Sequence, residues 1–187
     1  SHTQWIELLK SHGVSVDVFD HSEEHGTPDA VFPNNVFAAS SKGFVTLFPM
    51  RHESRRRERR RDILEFLLQS HSAQPPLDLT HFEQQNRFLE GTGSLVCDHE
   101  NAVAFVALSP RSDEGVAREW IEHVSKREQR NWQLVTFRSF VSDREVYHTN
   151  VVMAIGQRWA VCCFESIRDD EEKQRVRNAL VNAKKDV

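Results

Sequence analysis

Ala102-Val103-Ala104-Phe105-Val106-Ala107-Leu108 is an unbroken apolar run. It follows Phe88-Leu89-Glu90-Gly91-Thr92-Gly93-Ser94-Leu95-Val96-Cys97 across a polar turn at Asp98-His99-Glu100-Asn101. Two apolar segments joined by a short polar turn predict a hairpin, and a run that is apolar at every position suits a strand covered on both faces. Near Ser112 the pattern changes. Asp113 and Glu114 suit a helix start, where carboxylates meet the helix dipole, and Val116, Trp120, Ile121 and Val124 mark one apolar stripe. The unit reads strand, turn, strand, helix.

The same layout recurs on either side. Upstream, Pro28-Asp29-Ala30-Val31-Phe32-Pro33-Asn34-Asn35-Val36-Phe37-Ala38-Ala39 turns at Ser41-Lys42-Gly43, returns as Phe44-Val45-Thr46-Leu47-Phe48 and enters a helix reaching about Gln69. Downstream, Val146-Tyr147-His148-Thr149-Asn150-Val151-Val152-Met153-Ala154-Ile155 turns at Gly156-Gln157-Arg158. It returns as Trp159-Ala160-Val161-Cys162-Cys163-Phe164 and enters a helix from about Asp169 to Asn182. Short segments at Val14 to Phe19 and Trp132 to Phe137 are expected to add a strand before a hairpin. That makes ββαβ-like units at about 14–70, 78–128 and 132–184 of a single domain spanning 1–187. Copies spaced by roughly 55 to 60 residues are too long for a solenoid and suit blades around an axis, an α/β propeller.

Composition bounds the rest. The 187 residues are 39% hydrophobic and 28% charged, with a net charge of −4, an ordinary globular balance. No apolar run is long enough for a membrane span, and Ser1 to Lys10 has no secretory pattern. Three cysteines cannot frame a disulfide scaffold and point to a reducing compartment, with the cytoplasm as the default. Seven arginines crowd between Arg51 and Arg61, but without interleaved aromatics or a nucleic-acid-reading module. Interrupted by Glu58 and Asp62 and followed by Ile63, Leu64, Phe66 and Leu67, the run is expected to be the solvated first turns of an amphipathic helix, with anion or nucleic-acid binding as the alternative. Neither paired zinc-ligand motifs nor a glycine-rich phosphate loop occurs, so no metal or nucleotide cofactor is implied, and no nucleic-acid or membrane partner.

In a blade arrangement, the starts of the first hairpin strands lie at one end, near the common axis. Those positions hold Asp29 with Asn34 and Asn35, then Glu90, then His148 with Asn150. Each has a plainer use: the asparagines as turn formers, Glu90 as an exposed strand end, His148 as a satisfied half-buried imidazole. Their coincidence at equivalent repeat positions favours a site.

Pro-Asp-Ala-Val-Phe-Pro-Asn-Asn at 28–35, Leu-Phe-Pro-Met at 47–50 with the arginines behind it, Phe-Leu-Glu-Gly-Thr-Gly-Ser-Leu-Val at 88–96 and Tyr-His-Thr-Asn-Val-Val-Met-Ala-Ile-Gly at 147–156 appear in order along most of the chain. Together they resemble the amidinotransferase or arginine-deiminase-related family of guanidine-modifying enzymes, closest to its citrulline-hydrolase-like branch. The resemblance implies the pentein fold, ββαβ blades around a pseudo-fivefold axis. It implies that a cysteine thiolate attacks the guanidino or ureido carbon of an arginine- or citrulline-like small molecule. Carried over, Glu90 falls on the carboxylate that holds the substrate and His148 on the catalytic histidine, with Asp29, Asn34, Asn35 and Asn150 as substrate-binding positions. Asn35 and Asn150 stand where relatives carry aspartate. An amide offers a donor and an acceptor where a carboxylate only accepts, so a neutral ureido group is at least as suitable as a guanidinium.

The family's nucleophile follows a glycine-rich stretch near the C-terminus, and no such stretch is present here. Cys97, Cys162 and Cys163 lie in apolar strands and are expected to be buried and inert. The chain therefore reads as the middle blades of a propeller, completed by further residues or by association with another copy, and catalytically incompetent alone. A non-catalytic binding protein on the same scaffold is the alternative.

Overall fold

The computed structural model describes residues 2–31, 34–71, 74–186 of the chain. Its centre is the predicted hairpin: β4 (Val96–Asp98) pairs antiparallel with β5 (Val103–Ala107), with Asp98 opposite Val103. Helix α5 (Glu114–Glu128) then carries the chain back, so that β6 (Gln133–Phe137) lies parallel to β5 along its whole length. A parallel neighbour needs such a crossover, because a tight turn can only reverse direction.

β5 is buried at all five positions. Val103, Phe105 and Ala107 face one core cluster, while Ala104 and Val106 face the other. Alternation of side chains along a strand makes this one segment the wall between two cores, which is why its sequence is apolar without a break. The first core, that of Ala104 and Val106, adds Phe44, Phe48, Leu89, Leu95, Val116, Trp120, Val124 and Trp132; the second, that of Val103, Phe105 and Ala107, adds Phe137, Met153, Ile167, Val176 and Leu180. α5 meets its core through Val116, Trp120 and Val124, one side chain per turn, and starts where the Asp113 carboxylate accepts from the Val116 amide at 2.9 Å.

The flanking units repeat the plan. In the first, β1 (Phe37–Ser40) pairs antiparallel with β2 (Phe44–Leu47), the short helix α2 (Glu53–Arg56) and α3 (Arg61–His71) follow, and β3 (Leu77–Asp78) returns parallel to β2. After a small hairpin of β7 (Phe140–Val141) and β8 (Arg144–Glu145), the third unit pairs β9 (Met153–Ile155) antiparallel with β10 (Ala160–Cys162). Helix α6 (Asp170–Asn182), capped by Asp169 on the Glu172 amide at 2.8 Å, then brings Asp186 alongside Trp159 in a parallel bridge. A further helix, α1 (His2–Ser11), covers the Trp5 to Leu9 segment.

The structure departs from the sequence expectation in several places. Trp132–Phe137 closes the second unit instead of opening the third, since its ladder partner is β5. Val14–Phe19 forms no strand; it runs extended, with Val14 and Val18 exposed and Phe19 stacked edge-on against Phe66 of α3 at 5.3 Å. The segment from Pro28 to Val31 is a turn, and Phe32 and Pro33 lie outside the described residues, so the first hairpin strand begins only at Phe37. Gly91–Ser94 is a single helical turn, α4, not strand.

The arginine run is a solvated face only in part: Arg51, Arg57 and Arg61 are exposed, but three others turn inward to the backbone. Arg56 Nε donates to the Met50 carbonyl at 2.8 Å, Arg59 Nη1 to the Phe48 carbonyl at 3.0 Å and Arg55 Nη2 to the Asn34 carbonyl at 3.2 Å. Arg59 also makes a two-point contact with the Glu83 carboxylate at 2.6 and 3.0 Å. The Phe48 and Met50 carbonyls lie beyond the end of β2 and the Asn34 carbonyl before β1, all outside the hairpin ladder, and guanidinium groups supply the donors they need.

The cysteine expectation also changes. Cys97 and Cys162 are half-buried, but Cys163 is exposed, because β10 presents one face outward and Val161 and Cys163 share it. Burial pushes the Cys97 thiol up to about 12 and the Cys162 thiol up to about 11. In the folded protein a thiol reagent is expected to label Cys163 first and Cys97 last, as peptide mapping would read out.

A buried ion pair ties the second unit to the third. Lys185 Nζ stands 3.1 Å from Asp98 Oδ2, with both side chains almost wholly buried, and donates to the Gln157 carbonyl at 2.7 Å. Asp98 also accepts from the Glu100 and Asn101 amides and from Asn101 Nδ2. Asp98→Ala would strand the ammonium and three other donors, and is expected to cost about 3–5 kcal/mol in chemical denaturation. Lys185→Met leaves Asp98 its other partners and should cost less.

Candidate active site

Glu90 ends the segment from Phe88 and begins α4. Its own amide donates to Ser94 Oγ at 3.0 Å, Gly93 and Ser94 donate back to its carbonyl at 3.1 Å each, and Leu89 donates to the Pro49 carbonyl at 3.2 Å. Ser94 Oγ in turn donates to the Arg111 carbonyl and accepts from Ser112 Oγ at 2.7 Å. With its backbone held on both sides, the Glu90 carboxylate points inward and is 1% exposed.

His148 reaches it from the third unit. It precedes the short helical turn Thr149–Val151, and Thr149 locks that turn to the second unit: its hydroxyl donates to the Ser94 carbonyl at 2.5 Å and accepts from the Ala107 amide at 2.7 Å. His148 is 6% exposed, and its Nε2 lies 2.7 Å from Glu90 Oε2. A carboxylate can only accept, so Nε2 carries the proton and Nδ1 is left on the far side of the ring. Glu90 Oε1 accepts from the Arg51 amide at 3.0 Å, and Arg111 Nη1 stands 3.5 Å from Oε2. Burial by itself would raise the Glu90 carboxyl; the His148 hydrogen bond, the Arg51 amide and the charges of His148 and Arg111 outweigh it and hold the group below its usual range.

The first unit closes the third side. Asn35 has a left-handed backbone, φ +79°, and is buried. A Cβ on Gly93 would stand 2.8 Å from both Asn35 Oδ1 and His148 Nδ1, and one on Gly91 would stand 2.5 Å from the Asn35 carbonyl oxygen. Only glycine admits so close an approach, and Gly91 also has φ +38°. Thr92 Oγ1 donates to Asn35 Oδ1 at 3.5 Å.

Of the residues singled out in the sequence, Glu90, His148 and Asn35 thus converge. Asp29, Asn34 and Asn150 are exposed around them. Asp29 sits in a turn, not on a strand pointing into a shared cleft; its charge acts with that of Glu90 to raise the buried Glu58 carboxyl, after burial itself. Three residues at the site had no sequence signal of their own. Arg111 lies over the Tyr147 ring at 4.7 Å with Nη2 3.3 Å from His52 Nε2. Arg51 takes part only through its amide, and Thr149 only as a lock. Arg111 could have been found as the cation following the second return strand, but an arginine in a loop is common.

The family model described as N,N dimethylarginine dimethylhydrolase, eukaryotic, matches residues 1–187. Curated protein sequences give no match. Among solved structures, a dimethylarginine dimethylaminohydrolase in an adduct with 4-chloro-2-hydroxymethylpyridine is 18% identical with TM-score 0.65, over 92% of this chain and 62% of that one. The N-terminal domain of ArgZ (C264S), a cyanobacterial arginine dihydrolase bound to substrate, is 17% identical with TM-score 0.69, over 98% of this chain and 62% of that one. AgrE, in a ternary complex with ornithine and NAD+, is 16% identical with TM-score 0.67, over 95% of this chain and 23% of that one. The chain therefore spans less than two thirds of the length of these proteins. At such identities the likeness carries the fold, the α/β pentein fold. With the family match running along its whole length, the chain belongs to the family described as N,N dimethylarginine dimethylhydrolase, eukaryotic.

Proposed function

We propose that this chain forms the binding and proton-transfer part of a hydrolase acting on guanidino or ureido C–N bonds of arginine- or citrulline-like substrates. The observation that carries the reading is the buried Glu90–His148 pair at 2.7 Å. A carboxylate on one imidazole nitrogen fixes the tautomer, orients the ring and stabilises the imidazolium, which is the arrangement a general acid–base needs. In this reading the three units are blades around a common axis, and His148 protonates the departing amine when a cysteine thiolate has added to the central carbon. The same histidine then takes a proton from the water that releases the covalent intermediate. Asn35 orients the ligand beside His148. Asp29 at the rim meets its cationic end, with Asn34 and Asn150 as further rim contacts. Arg111 is the cation at the site's edge, suited to a carboxylate on the ligand.

The attacking thiolate is not assigned to Cys97 or Cys162, whose thiols burial holds protonated at neutral pH. Cys163, exposed at the end of β10, is not assigned either. The absence of an assigned thiolate favours the second reading, a non-catalytic binding protein on this scaffold; both readings expect no turnover from this chain by itself, and turnover by a form that also supplies a reactive thiolate would establish the first. The 187-residue chain is expected to bind L-citrulline or L-arginine in calorimetry without hydrolysing either. Glu90→Gln should weaken that binding by about tenfold, because the imidazole loses its orienting charge. Failure to bind any guanidino or ureido compound would overturn the reading. Turnover abolished by Cys97→Ser, Cys162→Ser or Cys163→Ser would instead assign the nucleophile to that residue.

The same carboxylate marks the pH dependence of stability. Glu90 and Asp98 are both held below their ordinary range in the fold. A lowered folded pKa stabilises above the unfolded value, about 4, and that contribution is lost as pH falls toward the folded value. Urea midpoints at pH 6 and pH 3.5 should therefore fall further apart for the unaltered chain than for Glu90→Gln, the variant lacking that titration.

A further inference from the structure

Glu58 is a buried carboxylate that the site has not used and that, unlike Asp98, has no lysine partner. It is 3% exposed, Arg55 Nε forms an ion pair with its Oε1 at 2.6 Å, and neither carboxylate oxygen has a hydrogen-bond partner among the described residues. Burial pushes its carboxyl up, and the charges of Asp29 and Glu90 push in the same direction against the Arg55 contact. Such a group is costly for the fold, since a buried, incompletely bonded carboxylate is less stable than an amide or an apolar side chain of the same size. What it holds is the guanidinium whose other end, Arg55 Nη2, donates to the Asn34 carbonyl at 3.2 Å. The next residue is Asn35, whose left-handed backbone lies against Gly91 and whose Oδ1 lies on the same side of Gly93 as His148 Nδ1.

We propose that Glu58 and Arg55 are positioning residues for ligand recognition: their ion pair anchors the Asn34 carbonyl and so sets where the Asn35 amide stands relative to His148. This rests on the reading of the site given above. Arg55 is suited to the role because a planar fork can address a carboxylate with one edge and a carbonyl with another, whereas an ammonium is a single point charge. The Asn35 turn has a positive φ that an asparagine tolerates but does not require, so an external anchor decides whether it is kept.

Glu58→Gln keeps the shape and removes the charge; Arg55→Lys keeps the charge and removes the fork. Each variant of the full chain is measured for its melting temperature, for its affinity for L-citrulline and L-arginine, and for the Asn35 side-chain amide signals in a 15N-edited NMR spectrum without ligand. The expected result is an affinity reduced by about tenfold in both, the scale of a small misplacement of a recognition group. The Asn35 amide signals should shift, and the melting temperature of Glu58→Gln should be unchanged or raised. Unchanged affinity in Glu58→Gln would overturn the proposal, as would a loss of affinity that only follows a fall in melting temperature. Should the unaltered chain bind neither probe, the functional reading fails on its own. The NMR signals then decide this one: shifted Asn35 amides sustain the anchor, and unshifted ones overturn it.

Discussion

No side chain can stand at Gly93, and the site follows from that constraint. Its Cα is approached by Asn35 from the first unit and His148 from the third, each 2.8 Å from where a Cβ would be. Three chain segments far apart in sequence can meet at one point only if one of them yields the space of a side chain. Gly91, with positive φ and the Asn35 carbonyl against it, makes the same concession two residues earlier. The Glu-Gly-Thr-Gly segment thus does two things: it closes a helical turn that aims the Glu90 carboxylate inward, and it leaves room for the other two units to reach it.

Once that approach is made, a buried carboxylate must be satisfied, and the surroundings of Glu90 are organised by this need. One oxygen takes the imidazole and the other a backbone amide from the end of β2, with Arg111 nearby as counter-charge. The chain that carries the Arg51 amide is held after β2 by Arg56 and Arg59 through the Met50 and Phe48 carbonyls, with Leu89 on the Pro49 carbonyl and Glu83 on the Met50 amide. The arginine-rich segment therefore supports the site from behind, by fixing the backbone that hydrogen-bonds Glu90. Glu58 differs from Glu90 in having too few donors, so burial dominates its titration and the two carboxyls shift in opposite directions.

Much of this was legible in the sequence, for identifiable reasons. Ala102–Leu108, α5 and α6 read clearly because each carries a periodicity set by its own burial: unbroken for a strand between two cores, one apolar residue per turn for the helices. Glu90, His148 and Asn35 were found by equivalence between repeats. The turn at Gly91–Ser94 was not, since glycines between apolar residues have no helical signature and the turn is made by tertiary hydrogen bonds through Ser94. Val14–Phe19 alternates like a strand but has no ladder to join, and Phe19 finds an aromatic partner instead. Cys163 looked buried because its strand is apolar in composition, whereas exposure is decided by which face of β10 has a neighbour. The arginines were read by their charge, while their geometry shows that their directional donors are what the fold uses.

The two cores and the site are one arrangement seen at different depths. β5 faces the first core with Ala104 and Val106 and the second with Val103, Phe105 and Ala107. Where it ends, the Ala107 amide passes a hydrogen bond to Thr149, and Thr149 passes one to the Ser94 carbonyl beside the Glu90 turn. The distance from Glu90 to His148 is therefore not set by those side chains, nor by the flexible ends of the units that carry them. It is set by a strand packed on both faces and by a buried hydroxyl that joins two units within one residue of the imidazole. Interiors packed in this way resist small displacements, so the pair is held in its geometry by the fold itself.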